Sequence, residues 1–130
     1  MGIKYLWDTN TAIYYLQKQF PPTAETFIDN TIANHIPVLS AITEIELLCW
    51  KHSTLEEEKK LAYFINDCLI IELEQSIKHK TAEIRKQHRI KLPDAIIAAS
   101  AIVYNLILIS RNVTDFRDIE ALQVVNPWDK

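Results

Sequence analysis

Short apolar runs alternate with longer amphipathic segments along this chain, and that alternation is typical of a mostly parallel sheet with helices on both faces. The short runs predict strands over residues 3–7, 36–40, 69–71, 106–109 and 122–125. The segments between them predict helices over residues 10–18, 23–34, 42–52, 54–67, 75–88 and 93–104. We therefore expect a single α/β domain over residues 1–130, with three α/β/α layers and a central sheet of about four to five strands.

The segment 93–104 is the most apolar of the predicted helices. It carries no charged residue after Asp94, and a helix that is apolar on all sides is expected to be buried. Pro93 suits its first turn, where the missing N–H group costs nothing, and Asn105 can end it in a left-handed conformation. Side chains that could cap the other helices are Thr9 or Asn10, Ser40 or Thr43, and Ser53 or Thr54.

Four carboxylates stand out against this apolar background. Asp8 directly follows the first strand and Asp115 comes shortly after the fourth, and ligands of open α/β sheets bind at the carboxyl ends of strands. Glu46 and Asp94 lie inside apolar helical segments, where an unpaired charge is costly. Each position alone could be a helix cap, a turn residue or a buried hydrogen-bonding group. Together the four favour a functional site.

Helical periodicity separates Glu46 from its neighbour Glu44. At about 100° per residue, Glu46 falls on the arc shared by Ile42 and Cys49. Glu44 falls on the opposite side, next to Lys51. We therefore expect Glu46 to point inward and Glu44 to point toward solvent.

Clustered carboxylates repel one another and raise one another's pKa unless a cation neutralises them. Ligand sets made only of oxygen suit Mg²⁺ or Mn²⁺ rather than zinc or copper. We therefore expect one or two such ions and a phosphate-containing substrate. The run Cys49-Trp50-Lys51-His52 has the spacing of half a zinc site, but no second Cys/His pair follows it.

The net charge is −3 and the sequence contains one glycine. A P-loop or a dinucleotide-binding fingerprint needs several glycines, so both devices are excluded. Six of the 14 basic residues cluster late in the chain, either as a solvated helix face or as a patch that attracts RNA phosphates. They are Lys78, Lys80, Arg85, Lys86, Arg89 and Lys91.

The two cysteines, Cys49 and Cys68, lie in apolar helical segments. So few cysteines favour a reduced intracellular protein without disulfides. No apolar run approaches the ~20 residues that would span a membrane, and the N-terminus lacks the pattern of a signal peptide. We therefore expect a cytoplasmic protein.

Four segments, in this order and spacing, resemble the PIN-domain ribonucleases found as VapC-type toxins of bacterial and archaeal toxin–antitoxin pairs. The segments are Leu6-Trp7-Asp8-Thr9-Asn10-Thr11, Leu39-Ser40-Ala41-Ile42-Thr43-Glu44-Ile45-Glu46-Leu47-Leu48, Leu92-Pro93-Asp94-Ala95-Ile96-Ile97-Ala98-Ala99-Ser100-Ala101 and Ile109-Ser110-Arg111-Asn112-Val113-Thr114-Asp115-Phe116. The resemblance covers nearly the whole chain.

The resemblance implies a catalytic, metal-binding quartet of Asp8, Glu46, Asp94 and Asp115 that holds Mg²⁺ or Mn²⁺. It selects Glu46 because the family glutamate precedes a leucine, as Glu46 does. The small polar residues around the quartet would be Thr9 or Asn10, Ser110 and Asn112, with Asn112 orienting Asp8 or Asp115. Position 110 is Ser where Thr is common in the family, which keeps the hydroxyl.

The same resemblance implies a Mg²⁺- or Mn²⁺-dependent endoribonuclease that hydrolyses RNA phosphodiester bonds, a homodimer, and an antitoxin partner whose C-terminal segment covers the site. A PIN-domain RNA-processing nuclease that is not a toxin is the main alternative. A short upstream gene for a small DNA-binding protein would favour the toxin.

Two other classes fit the sequence less well. Asp8-Thr9-Asn10-Thr11 is one residue from the nucleophile loop of haloacid-dehalogenase-type phosphatases, but Asn10 replaces their acid/base aspartate. A phospho-receiver module would need an aspartate directly after the third strand, where Glu72 follows Ile71. The phosphatase class would also need a pair of aspartates near the C-terminus, and the receiver a lysine at a late strand end; neither is present.

Overall fold

The computed structural model describes residues 2–129; the ends of the predicted domain, Met1 and Lys130, lie outside the described residues. The strands are β1 (Tyr5–Trp7), β2 (Val38–Ser40), β3 (Leu69–Ile71), β4 (Ile107–Ile109) and β5 (Val124–Val125). The helices are α1 (Thr9–Leu16), α2 (Pro22–Asn34), α3 (Ala41–Leu48), α4 (Leu55–Asp67), α5 (Gln75–Gln87), α6 (Leu92–Val103) and α7 (Val113–Phe116). The alternation of strands and helices matches the predicted α/β class.

The five strands form one parallel sheet in the order β3-β2-β1-β4-β5. Leu6 lies at its centre, opposite Val38 on one side and Leu108 on the other. The chain leaves β1 toward β2 and later returns to β4 on the opposite side. The carboxyl ends of β1 and β4 therefore flank the point where the strand order reverses, the usual ligand-binding position in open α/β sheets.

Alternate strand residues feed two separate cores, one on each face of the sheet. Leu6 and Leu108 pack into the core beneath α5, α6 and α7. Trp7 and Ile109 pack into the core formed with α1, α2, α3 and α4. This arrangement confirms the predicted three-layer architecture.

Helix α6 is buried continuously from Ala95 to Ala101, as its charge-free sequence predicts. It contains Pro93 in its first turn. Asn105 adopts the left-handed conformation expected of it, with φ 55°, and its amide donates to the carbonyl of Ile102 at 3.2 Å.

Several predicted boundaries were wrong by a few residues. The third helix ends at Leu48 rather than near residue 52, and the last strand is only Val124–Val125. The sequence prediction also missed α7, which has only four residues. Among the proposed caps, Ser40 and Thr54 were correct choices, but Asp8 caps α1 in place of Thr9 or Asn10.

Within residues 2–129, no helix is both long and apolar enough to cross a membrane.

Candidate active site

Asp8 lies at the carboxyl end of β1 and is 6% exposed. It caps α1, since its Oδ1 accepts a hydrogen bond from the amide of Thr11 at 2.8 Å. The hydroxyl of Ser110, directly after β4, is close enough to this carboxylate to lower its pKa. The hydroxyl of Thr11 donates to the carbonyl of Ile109 at 3.0 Å. Residues following both central strands therefore fix the position of the Asp8 carboxylate.

Glu46 reaches the same place from α3. Its Oε1 accepts a hydrogen bond from the Thr9 hydroxyl at 2.6 Å, and the hydroxyls of Thr9 and Thr43 lie 3.0 Å apart. Thr43 is fully buried one helical turn before Glu46. The contact from Thr9 joins the start of α1 to α3 and restricts the aim of the Glu46 side chain.

Asp8, Glu46 and Asp94 all line one cavity of about 330 Å³. The rest of its lining consists of Thr9, Asn10, Ile13, Trp50 and Ile97. Asp94 is half-buried in the first turn of α6. We call this space the acidic cavity. It brings together three carboxylates from β1, α3 and α6, which are far apart in the sequence.

Asp115, the fourth predicted carboxylate, is exposed on α7 outside the lining of the acidic cavity. It is nevertheless close enough to Asp94 for its charge to raise the pKa of that residue. Asn112 donates from its Nδ2 to Oδ2 of Asp115 at 2.5 Å. Of the two predicted targets of Asn112, the structure selects Asp115. The amide of Asn112 also donates to the Ser110 hydroxyl oxygen at 3.0 Å.

Burial and negative neighbours shape the electrostatics of these acids. Burial raises the pKa of Asp8, as does the charge of Glu46 to a smaller extent, whereas hydrogen bonds from Ser110 and Thr11 lower it. Burial also raises the pKa of Asp94, and the charges of Asp115, Asp8 and Glu46 add to that effect. Both carboxyl groups would be easier to ionise beside a cation.

The donor set fits a hard divalent cation, because every charged group lining the acidic cavity is a carboxylate. The one positive charge that lowers the pKa of Asp94 comes from Lys91, just before α6. As their side chains stand, no three His, Cys, Asp or Glu residues among residues 2–129 are close enough to hold a metal ion. Mg²⁺ keeps several of its waters and commonly binds proteins through one or two carboxylates, so a site here does not need three protein ligands.

The six basic residues from the sequence analysis do not form one patch. Lys78 and Arg85 line a largely apolar cavity between α5 and α6. Lys80 lies beside a different cavity and forms a 3.2 Å ion pair with Glu83. Lys86 and Arg89 are exposed. Their role in RNA binding stays a prediction, and Lys91 is the member that interacts with an acid of the cavity.

The helical-wheel prediction was correct for Glu46, which lines the cavity, but wrong for Cys49, which is exposed. Glu44, which was expected to face solvent, lies outside the cavity but is half-buried. The buried positions of α3 are Thr43 and Leu47. Thr11, Thr43 and Trp50 were not predicted as site residues. No sequence signal marks Thr43, whose hydroxyl meets that of Thr9 only in the fold, and Trp50 lies beyond the end of α3, where the helical wheel no longer applies.

Solved structures with similar folds include three bacterial toxin–antitoxin complexes. VapBC2 from Rickettsia felis, bound to a promoter DNA fragment, matches at 25% identity and a TM-score of 0.79, over 97% of this chain and 98% of that chain. A toxin–antitoxin complex from Klebsiella pneumoniae matches at 28% identity and a TM-score of 0.79, over 98% of this chain and 100% of that chain. VapBC-1 from nontypeable Haemophilus influenzae matches at 26% identity and a TM-score of 0.78, over 100% of both chains.

A search of curated proteins gave no match. The family model described as the PIN domain, however, matches residues 5–122. That segment begins at β1 and includes all four carboxylates together with Ser110 and Asn112. The chain therefore belongs to the PIN-domain family.

Proposed function

We propose that this chain is a Mg²⁺- or Mn²⁺-dependent endoribonuclease that hydrolyses phosphodiester bonds in RNA. The observation that carries the proposal is the acidic cavity, where Asp8, Glu46 and Asp94 converge with Asp115 beside them. PIN domains are nucleases, and a cavity lined by carboxylates has no attraction for a polyanion unless a cation is bound.

A divalent ion bound here would lower the pKa of water and stabilise charge on the phosphoryl oxygens. The protein's own contribution is to aim the ligands. A hydrogen bond from the amide of Thr11 holds Asp8, with the Ser110 hydroxyl close by, and the hydroxyl of Thr9 holds Glu46. Asn112 holds Asp115. Each of these donors leaves the remaining carboxylate lone pairs free to bind a cation.

We propose further that the nuclease is the toxin of a type II toxin–antitoxin pair. The support is similarity at 25–28% identity, over nearly complete chains, to three structures described as VapBC or toxin–antitoxin complexes. An antitoxin protein is then the expected partner. The homodimer implied by the family resemblance stays a prediction.

The first test compares Glu46→Gln with Glu44→Gln. Both glutamates are half-buried on α3, but only Glu46 lines the acidic cavity. With a labelled single-stranded RNA, the wild type and Glu44→Gln should cleave in Mg²⁺ or Mn²⁺ and stop in EDTA. Glu46→Gln should lose at least about 100-fold in kcat/KM, of the order seen when an electrostatic contact to the reacting group is removed.

The chemistry of the product ends adds a second criterion. Hydrolysis by water should leave a 5′-phosphate and a 3′-hydroxyl, which sequencing-gel mobility and kinase labelling distinguish. Ends with a 2′,3′-cyclic phosphate would contradict the proposal, because they require attack by the RNA 2′-hydroxyl. Equal activity of Glu46→Gln and wild type would contradict the assignment of the site.

A further inference from the structure

A second cavity, of about 430 Å³, adjoins the acidic cavity, and Trp50 lines both. It lies where the end of α1 meets the connection between α3 and α4. Lys51 and His52 from that connection and Lys60 from α4 are among its lining residues. We call this second cavity the Trp50 groove. Its one acidic lining residue is Glu57, so its charge is opposite to that of the acidic cavity.

The groove combines aromatic surface with positive charge. The rings of Trp50 and His52 lie 6.4 Å apart at 70° to each other, and both side chains are partly exposed. Lys51 is exposed. Lys60 donates one hydrogen bond to the carbonyl of Leu16 at 2.8 Å, which leaves two of its three donors available.

Aromatic faces beside lysines are the elements that proteins use to bind single-stranded nucleic acid: bases stack on the rings, and the backbone follows the positive charge. The volume of the groove falls in the usual range of small-ligand sites. Since Trp50 belongs to both cavities, a nucleotide held in the groove would place its neighbouring phosphate at the carboxylates.

We propose that the Trp50 groove is a subsite for one unpaired RNA nucleotide adjacent to the scissile phosphate. Its base stacks on Trp50, and its phosphate is held by Lys51 and Lys60. This inference rests on the proposed ribonuclease function and extends it from the reaction to the recognition of the substrate. Cleavage should therefore require an unpaired base at this position, because a base inside a duplex cannot reach the ring of Trp50.

Binding is measured by fluorescence anisotropy with a labelled single-stranded oligoribonucleotide in Mg²⁺, with every variant made in the slowly cleaving Glu46→Gln background, so that the acidic cavity can hold a cation while cleavage does not interfere. Trp50→Ala should weaken binding about tenfold, the size of one lost base–aromatic stack, and Trp50→Phe should retain most of it. Tyr63→Ala is the matched aromatic control, since Tyr63 is 70% exposed and lies outside both cavities. It should bind like the wild type.

A second pair of variants tests the contribution of the positive charge in the Trp50 groove to RNA binding. Lys60→Glu and Lys59→Glu alter the net charge equally and sit next to each other on α4, but only Lys60 lines the groove. Lys60→Glu should lower the slope of log K against log salt by about 0.7, the value for one lost single-strand phosphate contact. Lys59→Glu should change the slope less. Lys51→Glu should resemble Lys60→Glu, and it carries the charge test if Lys60→Glu fails to fold.

The subsite is overturned if Trp50→Ala binds RNA as Tyr63→Ala does, or if a hairpin duplex of the same sequence binds as tightly as the single strand. It is also overturned if the groove variants lose affinity for a protein partner but keep their affinity for RNA. Wild-type cleavage without these differences rejects the subsite and leaves the proposed function intact. Differences in binding without any cleavage in Mg²⁺ or Mn²⁺ reject the ribonuclease activity and leave the subsite.

Discussion

Asp94 is the carboxylate of the site whose pKa responds to the charges of all three other acids. Asp115, Asp8 and Glu46 all raise its pKa, and Lys91 alone opposes them among the neighbours that act on it. Its position in the first turn of α6 is favourable for a carboxylate, because helix N-termini attract negative charge. The helix therefore tolerates Asp94, while the neighbouring acids make its ionised form less stable than it would be alone.

We expect Asp94→Asn to raise the melting temperature in EDTA at neutral pH by up to about 3 °C, since screening by water limits the gain to roughly 1 kcal/mol. The folded-state pKa of Asp94 is raised, so its unfavourable contribution exists above that pKa and vanishes as the pH falls through it. The difference between variant and wild type should therefore shrink from pH 7 toward pH 4.

Thermal melting followed by circular dichroism checks this expectation. Asp118→Asn is the control, because Asp118 is exposed and does not contribute to the pKa shift of Asp94. A variant at position 94 that melts below the wild type at neutral pH would show that the ionised carboxylate stabilises the metal-free fold.

Among individual residues, the carboxylates of the site could be predicted from the sequence, whereas the hydroxyl groups around them could not. Asp8, Glu46 and Asp94 could be predicted because carboxylates after a strand or inside an apolar helix need an explanation. Thr43 could not, because a threonine in a helix is unremarkable until the hydroxyl of Thr9, from a distant part of the chain, is found 3.0 Å away.

Three connections between elements use a left-handed residue that is not glycine. They contain Lys18 after α1, Asn105 after α6 and Ala121 before β5, with φ angles of 54°, 55° and 71°. Left-handed backbone costs an L-residue about 1–2 kcal/mol, less for asparagine. The single glycine in the sequence, Gly2, is elsewhere, so these turns retain strain that glycine would relieve.

We predict that Ala121→Gly raises the free energy of unfolding by about 0.5–1 kcal/mol, because relief of the left-handed strain exceeds the added entropy of the unfolded chain. The same substitution at Ala62, on the exposed surface of α4, should lower it by about 1 kcal/mol. Urea unfolding of both variants measures the two effects. Loss of stability in both would mean that strain at Ala121 is negligible.

Most elements could be predicted from the sequence because strands and helices have different apolar periods. Helix α6 was the clearest case, as its charge-free run required burial. Element ends were less accurate: residues 49–52 continue the apolar pattern of α3 but leave the helix. Helix α7 was missed because four residues do not complete enough turns to show a helical period.

At the scale of the whole molecule, the sheet separates two cores. The site lies at the carboxyl ends of the central strands, where helices from both faces of the sheet meet. Its carboxylates come from β1, α3, α6 and α7. A cation bound among them would connect elements from both faces of the sheet. Metal binding and global stability should therefore be coupled, because an ion that binds only the folded arrangement stabilises it by mass action.

Addition of Mg²⁺ or Mn²⁺ at about 100 times the dissociation constant should stabilise the wild type by roughly 2.7 kcal/mol. Asp94→Asn should lose most of this response, so that the order of melting temperatures in EDTA is reversed in metal. Asp118→Asn should respond as the wild type does. An unchanged melting temperature of the wild type at millimolar Mg²⁺ and Mn²⁺ would count against a metal site in the acidic cavity.

The strand order β3-β2-β1-β4-β5 also determines how late in synthesis the site can be completed. Asp8 meets Ser110 only when β4 has taken its place beside β1, and the ribosome makes that strand after six of the seven helices found in residues 2–129. A nascent chain that has exposed α1 to α5 carries Asp8 and Glu46 but lacks Asp94 and Asp115. Under the proposed ribonuclease function, the growing polypeptide could therefore not cleave the messenger or ribosome that produces it until nearly all of the domain has emerged.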